Sequence, residues 1–305
     1  MSKMSKKILG LGLILVFMLG VLAACAGGNS TTTNGSTPAD AQKQSEASKQ
    51  SEAPKTELSG TVTASGSSAL LPMVQLAAKE FMEKNPKVTV NVTGGGSGTG
   101  LKQVAAGEVN IGNSDVAAGD EYKDKGLVDH VVSIAPFAII TNPGVGVENL
   151  TKQQAADIFT GKITNWKDVG GKDLKITVVH RPDSSGSRKL VSQIVLEGKD
   201  FTKEGVTQAE SKAMKTAVAE TAGAIGYVDT PYIDNTVKAV QFDGVSYSKE
   251  TIKAGTYKLY GIEHMYTKGE ATGAVKAFLD YIMSKDFQST QVEKLGFLQA
   301  DLLKK

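Results

Sequence analysis

A short strand, a loop of glycine and serine, and then a helix recur along this chain, and this recurrence constrains the fold more than any other feature. Residues 60–64 read as a strand, Ser65-Gly66-Ser67-Ser68-Ala69 as a loop, and residues 71–84 as a helix with apolar positions at helical spacing, stopped by Asn85-Pro86. Residues 88–92 alternate as a second strand. They enter Gly94-Gly95-Gly96-Ser97-Gly98-Thr99-Gly100 and then a helix over residues 101–106. Residues 110–115 form a third short strand that ends on a carboxylate, and residues 131–140 a longer apolar one leading into Asn142-Pro143-Gly144. Strands alternating with helices predict an α/β fold, in which ligands sit at the carboxyl ends of the strands.

The only two arginines, Arg181 and Arg188, bracket Pro182-Asp183-Ser184-Ser185-Gly186-Ser187, and every other side-chain cation apart from histidine is lysine. A guanidinium is planar and offers paired donors that match carboxylate or phosphate oxygens, so its confinement to one segment suggests a geometric task. Residues 176–180 read as a buried strand and 189–196 as an amphipathic helix, so Arg181 ends a strand and Ser185 to Ser187 open a helix. Such a turn collects free N–H groups, the positive helix end and small hydroxyls into an oxyanion cradle. A serine N-cap with an arginine stabilising a surface turn fits the same segment. Three such loops, with Asp115 at a fourth strand end, would place polar groups on one rim, which unrelated turns do not explain.

The ends of the chain carry other information. Lys3, Lys6 and Lys7, an apolar run over residues 8–21 and Leu22-Ala23-Ala24-Cys25 predict an export signal over residues 1–24 rather than a spanning anchor. Cys25 is the single cysteine, which excludes an internal disulfide and leaves a metal site to other ligands. Residues 26–57 hold no aliphatic side chain larger than alanine and no aromatic, which predicts a disordered tether over residues 25–57. Flexible-chain scaling gives it a span on the order of 30 Å. Residues 58–305 suffice for one large domain or two lobes. A net charge of +2 without a dense basic run in the body argues against nucleic acid as a partner.

Other chemistries lack their signatures. The loop 95–100 nearly fits a phosphate-binding P-loop, but Leu101-Lys102-Gln103 displaces the lysine by one position and supplies no hydroxyl for magnesium. The G-x-G-x-x-G pattern fails, meeting Thr99 from Gly94 and Leu101 from Gly96. His130, His180 and His264 lie far apart without metal-binding spacing, and no G-x-S-x-G elbow occurs. With no nucleophile and base to assign, the chain is expected to be neither an enzyme nor a cofactor or metal protein.

At these residues the chain resembles the substrate-binding lipoproteins of bacterial phosphate-specific ABC importers, over nearly all of the mature body. The shared signatures are Gly66-Ser67-Ser68-Ala69, Gly94 through Gly100, Ser114-Asp115, Ile158-Phe159-Thr160-Gly161-Lys162-Ile163-Thr164-Asn165-Trp166, Arg181 through Ser187, and Gly223-Ala224-Ile225-Gly226-Tyr227. Their joint order is specific, whereas each alone is weak. The resemblance implies a two-lobed α/β clamp of the periplasmic-binding-protein-like type II, with two hinge strands. Lobe one would be 58–135 plus 260–305 and lobe two 136–259, with Lys258-Leu259-Tyr260-Gly261-Ile262 at the return crossing. The proline and arginine often found at that crossing are absent here.

The resemblance also implies that inorganic phosphate is held by the Ser68 hydroxyl, the Ala69 N–H, Ser97, Asp115, Arg181, Ser185, Gly186 and Ser187. Asp183 would brace Arg181, and Arg188 would stand behind the site or on a solvated helix face. Ala69 replaces a larger aromatic of some relatives and Ser187 a frequent threonine, changes that a backbone donor and a hydroxyl survive. The tetrapeptide ending at Cys25 resembles a lipobox, implying a lipid anchor on the cell membrane. The implied partners are the importer's permease and ATPase subunits, and the implied state is a monomer without cofactor.

Asp115 gives the site its chemical logic. A carboxylate accepts a hydrogen bond from a protonated oxyanion but repels fully ionised sulfate, and a buried charged acceptor left without a donor costs more than about 1–3 kcal/mol. A strand-end carboxylate capping the next turn is the plainer reading. Three alternatives stand beside phosphate carriage: a receptor for sulfate or molybdate, a secreted phosphoester hydrolase, and a surface adhesion lipoprotein.

Overall fold

The computed structural model describes residues 57–303; the signal-like segment, Cys25 and all of the tether but its last residue lie outside them. The chain opens with β1 (Gly60–Gly66), α1 (Leu71–Lys84), β2 (Val88–Gly95), α2 (Ser97–Ala106), β3 (Ile111–Ser114) and the long β4 (Leu127–Thr141). There follow β5 (Asn149–Leu150), α3 (Lys152–Phe159), β6 (Thr177–His180), α4 (Gly186–Ile194), β7 (Val206–Thr207), α5 (Ser211–Glu220) and β8 (Ala224–Asp229). The remainder is β9 (Lys238–Ala239), β10 (Gln241–Phe242), α6 (Lys249–Lys253), β11 (Tyr260–Lys268), α7 (Gly273–Ile282), α8 (Lys285–Phe287) and β12 (Leu298–Gln299).

One mixed sheet runs through the molecule in the order β2-β1-β3-β11-β4-β8-β6-β7. Pairing is parallel on either side of β1, and parallel again between β8, β6 and β7; β11 and β4 supply the antiparallel joints. Within β4, residues 127–136 pair with β11 and residues 137–141 with β8. Pro136 stands at this change of partner. A proline has no N–H for a ladder, so it belongs where a strand leaves one set of neighbours for another. Phe137 N–H then donates to the Leu259 carbonyl at 3.0 Å, tying the outgoing strand to the returning chain.

Two apolar cores flank this crossing, giving two lobes. The first packs α1 and α7 on β1 and β2, with the Phe81 and Phe278 ring centroids 5.4 Å apart. The second gathers Phe137, Phe159, Trp166, Val179, Met214 and Tyr227. Trp166, from the signature at 158–166, is fully buried there and donates its indole N–H to the Gly223 carbonyl at 2.9 Å, so that signature builds core. The stretch from Leu298 packs against the second core.

The helix α1 has the expected bounds, because its apolar spacing is continuous and Asn85 caps it. By contrast, α2 begins at Ser97, four residues before the predicted start, and α4 at Gly186, three before. Their first turns are glycine and serine, which carry no apolar period to read and are weak helix formers. Packing overrides that preference. A Cβ on Gly100 would stand 2.7 Å from both the Asn113 and Ser65 carbonyl oxygens, so only glycine lets α2 lie flush on β1 and β3.

Candidate functional site

Four segments end against one another between the lobes. From the first lobe come the loop after β1 with Ser68 and Ala69, the first turn of α2 with Ser97, and Asp115 just past β3; all four residues are at most 2% exposed. From the second come Arg181, past β6, and the start of α4 with Ser185, Gly186 and Ser187. The first N–H groups of α1, α2 and α4 have no partner inside their own helices, and each helix aims its positive end into this region.

The lobes touch. Gly98 N–H donates to the Ser184 carbonyl at 2.8 Å. A Cβ on Gly186 would overlap Ser97 Oγ and come within 2.7 Å of Asp115 Oδ2, so the missing side chain is what permits this approach.

The polar contacts form a chain through the cluster. Arg181 donates from Nη2 to Ser68 Oγ at 3.0 Å and to the Ala209 carbonyl at 3.1 Å, and from Nη1 to Ser211 Oγ at 3.1 Å. Ser97 Oγ accepts the Asp115 N–H at 3.0 Å, while Ser187 Oγ donates to Asp115 Oδ2 at 3.1 Å. Ser185 caps α4, its Oγ accepting the Arg188 N–H at 3.2 Å, which leaves the hydroxyl hydrogen for another acceptor. Arg181 Nε and Asp115 Oδ1 have no hydrogen-bond partner among the described residues. One free donor of a buried cation and one free acceptor of a buried carboxylate thus occupy a single cluster.

The expected brace on Arg181 is corrected. Asp183 is almost fully exposed and pairs instead with Arg188 Nε at 3.2 Å. Arg181 is held by the Ser68 and Ser211 hydroxyls and the Ala209 carbonyl. Arg188 is not a solvated side chain either, since its guanidinium lies 4.1 Å from the Phe201 ring centroid.

Three residues of the cluster escaped the sequence reading. Ser211 opens α5 and accepts from Arg181; its signal was the helix start at 209–212, which lacks glycine. Asp229 ends β8 and is fully buried, its Oδ2 3.5 Å from both Ser187 Oγ and Ser211 Oγ. Burial first, then the Asp115 charge, pushes its carboxyl up to about 7, against the pull of Arg181. Glu263, an acid in the middle of the apolar strand β11, is also fully buried. The strand end after Gly226-Tyr227 and the charge inside 260–267 were visible, but nothing local placed them here.

The three histidines serve the scaffold: His180 Nε2 donates to the Glu204 carbonyl at 2.7 Å, His264 Nδ1 meets Asp129 at 2.9 Å, and His130 Nε2 lies 3.2 Å from Thr267 Oγ1. Among the described residues no group of His, Cys, Asp and Glu is placed to hold a metal ion, and no helix is long and apolar enough to cross a membrane.

The PBP superfamily domain matches residues 35–286. The phosphate-binding protein PstS of Bacillus subtilis (strain 168) is 42% identical over 298 residues, which cover 97% of this chain and 95% of that protein. The chain belongs to the PstS family of substrate-binding proteins. A substrate-binding protein assigned to a phosphate ABC transporter of Clostridium perfringens, solved with bound phosphate, superposes with a TM-score of 0.75 at 34% identity, covering 79% of this chain and 99% of that one. An ABC-type phosphate transport receptor from Vibrio cholerae gives a TM-score of 0.65 at 26% identity, over 78% and 99% of the two chains. In this member of the family both lobes contribute to the cluster.

Proposed function

We propose that the cluster binds inorganic phosphate outside the cytoplasm and that the protein delivers it to the permease of an ABC importer. Ser68, Ala69, Ser97, Asp115, Arg181, Ser185, Gly186 and Ser187 are the assigned contacts, with Arg188 and its partner Asp183 behind them. One observation carries the reading: the buried Arg181 guanidinium keeps a free Nε–H in the same cluster where Asp115 keeps a free Oδ1. Cation and acceptor together suit a tetrahedral anion that still carries a proton, as phosphate does and sulfate does not. Helix N-terminal amides and serine hydroxyls supply the remaining donors without adding charge.

The lipid anchor on Cys25, the tether and a monomeric state belong to the same proposal, as does a carrier role without catalysis. Lobe boundaries at residues 135/136 and 259/260 are part of the proposal, with β4 changing partner after Pro136 and the stretch from Leu298 packing on the second core. Competition titration with phosphate, arsenate and sulfate tests the ligand, with arsenate competing because it too stays protonated. Asp115→Ala is expected to admit sulfate, and a variant that still excludes it removes Asp115 from the selectivity argument.

A further inference from the structure

Glu263 is, with Asp229, one of two fully buried acids that the binding scheme does not use. It is 0% exposed, and neither carboxyl oxygen has a hydrogen-bond partner among the described residues. Its direction follows from its strand. The pairing of β11 with β4 slips between Glu263 and His264, opposite Ser133 and Val131, and such bulges re-aim side chains next to functional sites. Two residues earlier on the same face, a Cβ on Gly261 would lie 3.0 Å from the Asp115 carbonyl, 2.7 Å from Leu190 Cδ1 and 3.6 Å from Glu263 Oε1. Glu263 therefore sits in the wall behind Asp115, with α4 on its other side.

The charged groups that face it are Asp115 and Asp229, while its neighbour His264 turns to Asp129. Among the described residues, no cation is among the groups that shift it. A buried carboxyl without a cation, beside two other acids, is stable only as the neutral acid. Burial foremost, and then Asp115 and Asp229, hold it well above the usual carboxylate range.

We propose that Glu263 is a positioning residue for ligand selectivity: as the neutral acid it donates its O–H to the Asp115 carboxylate and turns Asp115 to accept the ligand's own proton. The proposal rests on the phosphate-binding reading. It adds that the discriminating carboxylate is aimed by a second acid, carried by β11.

The test is calorimetric titration of full-length protein in detergent, as wild type, Glu263→Gln and Glu263→Leu, with phosphate and with sulfate. Gln keeps a neutral donor, so Glu263→Gln is expected to bind phosphate within about threefold of wild type and to exclude sulfate. Leu keeps volume but no donor, so Glu263→Leu should lose at least about tenfold in phosphate affinity and bind sulfate measurably. Glu263→Leu with wild-type affinity and selectivity, or Glu263→Gln behaving like Leu, overturns the proposal. Infrared spectroscopy at neutral pH decides independently of whether the Leu variant folds. A protonated-carboxyl band that loses intensity in Glu263→Gln, beyond the share Asp229 keeps in both proteins, supports the proposal, and equal intensity in the two proteins overturns it. If wild type binds no phosphate, or Arg181→Ala binds it unchanged, the parent reading fails instead.

Discussion

Arg181 is 2% exposed, and its guanidinium meets two hydroxyls and a carbonyl of the protein itself. This arrangement fixes the plane of the fork, so a ligand meets donors that need no further ordering. Truncating one partner of a buried charged contact costs about 2–5 kcal/mol, so Arg181→Ala should weaken phosphate binding by about 30- to 5,000-fold in titration calorimetry at fixed ionic strength. Asp229 makes a second prediction, in the protein without ligand. Its carboxyl rises from about 3.8 to about 7, so the folded state holds a proton that the unfolded chain releases earlier. The stability this contributes is complete below pH 4 and is lost as pH rises towards 7, with a slope of at most about 1.4 kcal/mol per pH unit. Asp229→Asn should flatten that decline in denaturant melts across this range; a wild-type slope in the variant would refute the assignment. Arg181 was legible as a candidate for anion binding from its rarity and its place at a strand end. Its partners were not, because Ser68 and Ser211 lie 113 and 30 residues from it and no spacing rule connects them.

At the level of elements, the site is a meeting of helix starts. Ser185 caps α4, Gly96 precedes α2 with a φ of +89°, and the glycines of the first turn of α2 let backbone approach backbone. Gly186→Ala tests this approach cleanly. Alanine is the better helix former, so α4 itself gains nothing harmful, but the new Cβ meets Ser97 and Asp115 across the cleft. Overpacking of about 1–3 kcal/mol predicts about 5- to 150-fold weaker phosphate binding with little change in the melting temperature of the ligand-free protein. Unchanged affinity would mean that binding does not require the lobes to meet here. The same glycines explain why strands and the apolar helix α1 were readable while the first turns of α2 and α4 were not. A helix start made of small residues has no period, and it forms only because the neighbouring strands leave space for nothing larger.

For the whole molecule, the decisive element is β4, which is shared by both lobes and changes partner at Pro136. Ligand held between the lobes stabilises the assembled form by mass action. Phosphate at about 1,000 times its Kd should add about 4 kcal/mol, raising the melting temperature by about 8–16 °C for a body of this size, while sulfate at the same concentration should not. An equal shift with both anions would remove the selectivity claim. The fold class, most element positions and the residue types fit to hold an anion were determined by the amino-acid sequence alone, because apolar period, glycine placement and side-chain chemistry are local properties. Tertiary structure alone decided that Asp183 turns to Arg188, that Ser211 takes the place beside Arg181 expected for Asp183, and that Asp229 and Glu263 join Asp115. Burial and proximity arise when distant segments pack together, and the charge state of an acid follows from that packing.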